Sequence, residues 1–385
     1  MSAIRAIKLP QRELARDEKT PVDLTVLVPV LLLVGLGIAM VFSASIPTAA
    51  ARESEDIYYY LKRELLFAGV GLAAMYAVAR VSIEFVRKQA GVLLALTFFF
   101  LGLVLVVGIR VNGAKSWLPV PGTSLHFQPS EMAKLILVIV AARYFAQFPQ
   151  GVPTWRRVFP PMAVLASTAA LIAVQPDMGT AAVLVIAMLA YYHMAGAKLR
   201  HLLGAAGIAL AIGALMVSCN SYQRERIEGF ALRTEAPFEA DYHTTQALIA
   251  MGSGGLTGRG YCGSIEKYFY LPAPITDSIL AVIGEELGFL AVSMVLALFA
   301  FLVWRGMLIA VRAADRFSGL VAAGVTLLLA TQALINVAVV TGAVPATGVP
   351  LPFVSYGGSS LLFSLIGVGL LLNVSRARCS PEQKA

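Results

Sequence analysis

Long apolar runs alternate with short polar stretches along this chain. With about 20 apolar residues enough to cross a bilayer, ten runs qualify, near 24–45, 65–83, 91–110, 130–149, 158–175, 180–197, 201–219, 278–303, 317–341 and 357–375. The pattern predicts an all-α integral membrane protein of about ten transmembrane helices. An even number of spans puts both ends of the chain on one side. The polar stretches on the other side are 46–64, 111–129, 220–277 and 342–356. The longest, between spans seven and eight, contains RERIEGFALRTE, DYHTTQALIAMGSGGL and GRGYCGS, which predicts short amphipathic helices at the membrane interface. Without a tandem repeat or a Pro- or Ser-rich linker, 23–376 reads as one membrane domain between tails 1–22 and 377–385. The first run lacks an early small-residue cleavage pattern and is expected to stay as an anchor.

Composition agrees with this pattern. Hydrophobic residues make up 58% of the 385 positions and charged ones 14%, against about 25% charged in soluble domains. The net charge of +8 is spread between the apolar runs and meets no nucleic-acid motif, so topology is the better explanation. Arg5, Lys8, Arg12, Arg16, Lys19, Arg80, Arg87, Lys88, Arg143, Arg156, Arg157, Lys198, Arg200, Arg305, Arg312, Arg316, Arg376, Arg378 and Lys384 all fall on the side of the termini. By the positive-inside rule that side is cytoplasmic. Cys219, Cys262 and Cys379 and the four histidines show no metal-ligand spacing, and a Cys219–Cys262 disulfide flanking the long loop stays open.

The candidate chemistry lies in the outer stretches. At the junction 263–288, GSIEKYFYLPAPITDSILAVIGEELG, Asp277 stands at the mouth of an apolar run, where an acid is costly and therefore a functional candidate. Thr276 can cap the helix with Asp277 in its first turn, so a capping role competes. Glu285 and Glu286 lie two turns deeper, and paired intramembrane acids can instead mark a proton or cation path. In NGAKSW and HFQPSEMAK, Pro129 and Ser130 start a helix with Ser130 as its cap, and Glu131 and Lys134 share a face. Lys115 and Lys134 are candidate cations for an anionic ligand; a snorkelling lysine and an interfacial Trp117 are the plainer alternative. In QPDMGT, Asp177 tips a tight break and suits a cap as well as a ligand role. Arg224 and Arg226 in YQRERIEGF can meet lipid headgroups or phosphate, or form a solvated face. VPLPFVSYGGSS is an irregular loop entering the last span, whose start offers backbone and hydroxyl donors to an anion. Walker, dinucleotide-binding, zinc-protease and serine-hydrolase signatures are absent, which argues against ATP-driven transport by this chain alone.

Seven stretches, DLTVLVPVLLLVGLGIAMVFSAS, GAKSWLPV, FQPSEMAKL, QPDMGTA, YHTTQALIAMGSGGL, TDSILAVIGEELG and NVAVVTGAVPATGVPLPFVSYGGSSL, occur in one order over about 23–376. Together they resemble the SEDS family of shape, elongation, division and sporulation proteins, which includes FtsW, RodA and SpoVE. LKRE before the second span, GVPLPFVSYGGSSL, and GRGYCGSIEKYFYLP without a tryptophan-containing insertion are more similar to the FtsW branch. The resemblance implies a peptidoglycan glycosyltransferase that polymerises lipid II at the outer face of the cytoplasmic membrane during division or growth. Asp277 is then the catalytic base. Trp117, Lys115, Gln128, Ser130, Glu131, Lys134, Asp177, Arg224, Arg226, Lys267, Tyr356, Gly357 and Ser359 form the candidate substrate-binding set. The implied partners are membrane lipids, a single-pass class B penicillin-binding protein as transpeptidase, and other divisome or elongasome proteins. Two departures stand out. Where the family reads P-E-x-H-T-D-F this chain has Ala273, Ile275 and Ser278 around Asp277, and His126 stands where relatives often carry arginine. A lipid II flippase and a catalytically weak divisome scaffold are the alternative functions.

In lipid II polymerisation a sugar 4-hydroxyl attacks an anomeric carbon bearing a lipid pyrophosphate. The site needs one base and positive charge for the departing group. Lys115, Lys134, Arg224 and Arg226 are candidates for that charge. No protein metal site is read, although magnesium or manganese can share the pyrophosphate.

Overall fold

A bilayer core offers the backbone no partner but itself, and the ten apolar runs accordingly form helices. The computed structural model describes residues 23–51, 56–111, 114–123, 125–151, 154–218, 221–232 and 241–376. The tails 1–22 and 377–385, Asn112, Cys219 and Cys379 lie outside them. In chain order the helices are α1 (Leu24–Ala50), α2 (Tyr59–Val78), α3 (Ile83–Val107), α4 (Pro129–Phe145), α5 (Trp155–Val174), α6 (Met178–Met194), α7 (Leu199–Ser218), α8 (Ser221–Leu232), α9 (Tyr242–Ser253), α10 (Ile279–Val311), α11 (Arg316–Val340) and α12 (Gly358–Arg376). Seven of them, α1, α3, α5, α7, α10, α11 and α12, are long and apolar enough to cross a membrane, and α6 is apolar over a shorter 17 residues. The protein is a multi-pass, helical membrane protein. The predicted loop 220–277 does contain two short helices, α8 and α9.

Burial divides the helices by role. α12 packs along α2, and α11 lies against α10, α6 and α4, so these two form the centre. At the periphery, α7 buries only Leu202 among its residues and turns Leu203, Ile208, Leu210, Ile212 and Leu215 outward, as lipid solvation allows.

One end of the bundle is gathered by basic side chains. Arg305 at the end of α10 pairs with Asp23 ahead of α1 at 2.9 Å. Arg376 reaches the carbonyl of Ala79, Arg143 that of Lys88, and Arg316 those of Phe145, Pro149 and Ala195. Several of these carbonyls close helix C-termini, where cations are favoured by geometry and dipole alike. Arg143, Arg305, Arg316 and Arg376, four of the basic residues that sequence alone assigned to one face, thus lie at one end of the bundle.

The stretch 111–129, expected to be a loop, carries a small antiparallel sheet ordered β1 (Ile109–Val111), β2 (Ala114–Pro119), β3 (His126–Phe127). In β2, Ser116 and Leu118 are buried while Lys115 and Trp117 are only partly covered, the alternation expected of a strand with one inner face.

α10 is broken rather than continuous. Gly288 has φ 75° and ψ −176°, and the amides freed by the break are taken up by the turn after α9: Phe289 donates to the Gly255 carbonyl and Leu290 to that of Leu256. Arg259 and Gly260 amides donate back to the carbonyls of Glu285 and Glu286. At Gly258, φ is +80° and an added Cβ would sit 2.1 Å from the Glu286 carbonyl oxygen. Gly258→Ala is therefore expected to cost about 1–3 kcal/mol from backbone strain and displacement. Gly252→Ala, within α9 and with open space around it, should leave the melting temperature in detergent essentially unchanged. Equal melting temperatures for the two variants would contradict the close approach.

Candidate functional site

The segment 342–357, between α11 and α12, returns into the bundle without regular structure, and Val349, Leu351, Phe353, Val354 and Ser355 are buried. Such backbone needs partners at depth. α11 supplies two, one turn apart: Gln332 Nε2 donates to the Pro350 carbonyl at 3.1 Å and Asn336 Nδ2 to that of Val349 at 2.9 Å. The Leu351 amide donates to Ser355 Oγ, and the Tyr356 amide donates to the Ile275 carbonyl at 2.8 Å. The Ser355 hydroxyl donates to the Thr276 carbonyl. This loop is therefore stitched to the segment that carries Asp277.

Asp277 is 5% exposed. The sequence reading put it in the first helical turn with Thr276 as cap; instead α10 begins at Ile279, Ser278 occupies the cap position without a side-chain cap bond, and Asp277 lies just outside. The cause is the tight turn before it, with Ala273 at φ 48° and the amides of Thr276 and Ser278 bonded to the Ala273 carbonyl. Thr276 Oγ1 spends its hydrogen on Asp277 Oδ1 at 2.9 Å. Oδ2 lies 3.5 Å from His243 Nε2 of α9. Asn336 Nδ2, the amide that holds Val349, also donates to the Asp277 carbonyl at 2.9 Å.

Around this carboxylate the predicted residues divide into groups. Glu131 and Lys134, on one face of α4, form a buried ion pair at 2.8 Å, and Lys134 Nζ also donates to Gln332 Oε1 at 2.8 Å. α4 begins one residue before the expected cap. Gln128 is at the cap position and Ser130 lies inside the helix with its hydroxyl buried and unpartnered. Gln128 makes no cap bond because its Nε2 donates to Asp177 Oδ2 at 3.0 Å, while its own amide donates to Ser359 Oγ at 3.0 Å. Asp177 caps α6 through the Thr180 amide, and burial pushes its carboxyl above the ordinary range. Tyr356 packs edge-on against Tyr60, with ring centroids 5.2 Å apart. Gly357 accepts from the Leu361 amide, and Ser360 Oγ accepts from Gln332, so the hydroxyls and carbonyl at the start of α12 are engaged within the protein. Between α4, α11 and α12 lies a narrow cleft of about 20 Å³, headed by Glu131, Lys134 and Gln332 and walled by Leu135, Leu328 and Phe363.

The predicted cations do not converge on Asp277. Lys115 Nζ donates to the carbonyls of Leu105 and Val106 at the end of α3. Arg224 pairs with Glu228 at 3.5 Å on the exposed face of α8, and Arg226 reaches the Ala346 carbonyl. Lys267 is fully buried, with Nζ 2.8 Å from Glu286 Oε1, 3.0 Å from Ser43 Oγ and 2.9 Å from the Cys262 carbonyl. Trp117 sits in β2 opposite Ile109. Cys262 is a free thiol.

Glu285 and Glu286 likewise have structural employment. Glu286 accepts from Ser43 Oγ, Lys267 Nζ and the amides of Cys262 and Ser264. Glu285 accepts from Ser264 Oγ, Arg259 and the amides of Ile265 and Glu266. Both acids pin the loop 259–267 against α10, which removes the observation that suggested an ion path. Among the described residues no three His, Cys, Asp or Glu side chains converge to hold a metal ion.

Two groups escaped the sequence reading. Gln332 and Asn336 were visible as polar residues four apart in an apolar span, a signal of buried work in a membrane helix. His243 gave no such signal, since its neighbour in space is remote in sequence.

A buried acid, backed by an irregular loop at one end of a multi-span helical bundle, defines an integral membrane protein with a candidate carboxylate site at that end. The chain belongs to the FtsW/RodA/SpoVE family, described as cell cycle proteins, whose model matches residues 24–380. It is 40% identical over 364 residues to the stage V sporulation protein E of Bacillus subtilis, covering 93% of this chain and 98% of that one. It is also 40% identical over 356 residues to the Trichlorobacter lovleyi protein named "Probable peptidoglycan glycosyltransferase FtsW", covering 92% and 93%. Among solved structures, a chain of a peptidoglycan synthase complex that coordinates polymerization and crosslinking superposes with a TM-score of 0.74 at 28% identity, covering 92% of this chain and 98% of that one. Thermus thermophilus RodA gives a TM-score of 0.68 at 29% identity, covering 93% and 98%.

Proposed function

We propose that this chain is a peptidoglycan glycosyltransferase that polymerises lipid II at the outer face of the cytoplasmic membrane, with Asp277 as general base. The observation that carries the residue assignment is the placement of Asp277: a buried carboxylate on a turn whose backbone is held by α11 and the 342–357 loop, with His243 of α9 beside Oδ2, at the end of the bundle opposite the cluster of basic residues. The activity itself rests on family membership and on relatives named for it. On this reading Asp277 Oδ takes the proton of the attacking sugar hydroxyl, and the 23–376 domain is oriented with both tails in the cytoplasm.

The cleft below the Glu131–Lys134 pair joins a charged head to an apolar wall, the chemical combination a pyrophosphate-linked prenyl donor requires, and on this reading it widens to admit one. Lys134 is the cation that lines this cleft and is the one proposed to meet the pyrophosphate there. Trp117, Gln128, Ser130, Asp177, Tyr356, Gly357 and Ser359 lie outside the cleft lining and are proposed for the rest of the substrate path. Arg224 and Arg226 stay with α8, against Glu228 and the Ala346 carbonyl. Lys115 and Lys267 are assigned to the fold instead, because neither lines the cleft and Lys267 is completely buried against Glu286. A magnesium or manganese ion that arrives on the pyrophosphate needs no cage of protein ligands and stays part of the proposal.

The chemistry leaves crosslinking to another protein, and a class B penicillin-binding protein is the proposed partner. The test is elongation of fluorescent lipid II by the purified chain, alone and with such a partner, with and without magnesium. Glycan ladders that require this chain support the reading. Lipid translocation in liposomes without any polymer would replace it with transport, and partner recruitment without polymer would leave a scaffold.

A second expectation concerns the ion pair. Glu131→Gln leaves Lys134 an amide acceptor at the same position and should keep the fold, while Lys134→Met strands the Glu131 carboxylate and should lower the rate about 10–100-fold with loss of donor binding. Unchanged kinetics for Lys134→Met would remove the pocket from the substrate path.

A further inference from the structure

Among the described residues, His243 is the titratable group that approaches Asp277 from another element. It sits in the first turn of α9, which packs along α10, and its ring faces the turn that ends in Ser278. Nε2 lies 3.5 Å from Asp277 Oδ2 and 3.3 Å from Ser278 Oγ. Nδ1 is buried and has no partner among the described residues.

These contacts decide where the ring hydrogen is. The Ser278 hydroxyl donates its hydrogen to the Pro272 carbonyl at 3.0 Å, so toward the imidazole it can only accept. Asp277 Oδ2 is likewise an acceptor. Both neighbours of Nε2 therefore require a hydrogen on Nε2. The contacts on this edge of the ring are thus those of an Nε2–H donor.

We propose that His243 is a positioning residue for Asp277: its Nε2–H, anchored on Ser278 Oγ at 3.3 Å, stands 3.5 Å from Oδ2 and closes that side of the carboxylate, while Thr276 fixes Oδ1. The carboxylate then has one rotamer, and its remaining lone pairs point to one place, where an acceptor sugar hydroxyl has to arrive. Ser278 completes the device by holding the imidazole edge. Ile275, in the same turn, has no polar atom with which to do this, so the donor comes across from α9. The proposal rests on the reading of Asp277 as the base, and it concerns orientation, not proton storage.

The test compares His243→Ala, His243→Gln and Asp277→Asn in lipid II polymerisation, together with ¹⁵N NMR of histidine-labelled protein in detergent. A glutamine amide can donate to Oδ2 but cannot carry a proton in turnover. His243→Ala is expected to lower kcat about 10–100-fold with KM within about twofold, because a misaligned base slows chemistry more than binding. His243→Gln should restore kcat to within about threefold of wild type. In the Asp277→Asn background, His243→Ala should add no further loss, since it acts through that carboxylate. The ¹⁵N resonances lost in His243→Gln should be those of a ring that carries hydrogen on Nε2. A wild-type kcat in His243→Ala overturns the proposal, and so does a His243→Gln variant as slow as the alanine one, which would mean proton carriage. A ring with its only hydrogen on Nδ1 overturns it even if the alanine variant fails to insert. A wild-type rate in Asp277→Asn would instead defeat the assignment of the base, which is a separate failure.

Discussion

Asp277→Asn is expected to lower lipid II polymerisation by about 10²–10⁴-fold, the range a general base contributes, in a protein that still inserts and melts normally. The fold should survive because the bonds that hold this turn belong to the backbone. Asn336 grips the Asp277 carbonyl, Ser355 the Thr276 carbonyl, and the Tyr356 amide the Ile275 carbonyl. An asparagine side chain fills the same space and can still accept from Thr276. What it lacks is the ability to take a proton from a sugar hydroxyl. Polymer formation is the measurement, with melting temperature in detergent as the control. A well-folded variant that polymerises at the wild-type rate would remove Asp277 from catalysis, and intact complementation by an inactive variant would favour a scaffold.

Lys267→Met is expected to be the most destabilising single change, by about 3–5 kcal/mol, the cost of stripping the partner from a buried charge. Glu286 is completely buried, and Lys267 is the cation bonded to it. Ser43 and the amides of Cys262 and Ser264 remain as donors, but none neutralises the carboxylate. The loop 259–267 should loosen from α10 and carry the α10 break with it. The double change Lys267→Met with Glu286→Gln removes the orphaned charge and should recover part of the loss. Thermal unfolding in detergent separates this from a substrate role for Lys267, which predicts normal stability and a raised KM.

The helical architecture was legible because the bilayer leaves so few choices: a run of 20 apolar residues has to be a helix, and basic residues sort to one end. Glu131 with Lys134 was legible for a similar reason, since a spacing of three fixes two side chains on one helical face. Asp277 was legible as an acid in an expensive place. What sequence could not supply was the pairing of charges across the bundle. Lys267 and Lys134 look alike in sequence, as basic residues next to outer motifs, yet one closes a loop latch and the other heads a pocket. Glu285 and Glu286 suggested a path because their partners, Ser43, Arg259 and Lys267, are brought to them only by folding. The strands at 109–119 were hidden by shortness, and the break at Gly288 by the apolar residues on either side of it. His243 depended on a tertiary contact entirely.

Gln332 and Asn336 make α11 a gauge. One amide holds Lys134 and the Pro350 carbonyl; the other, a turn away, holds the Asp277 and Val349 carbonyls. Because both belong to one rigid rod, an axial slip of a single residue, about 1.5 Å, would uncouple the head of the pocket and the turn of the base in the same stroke. The distance between the two is thereby built to be kept or lost as a whole. Any force that a neighbouring protein applies along α11 is transmitted to both at once.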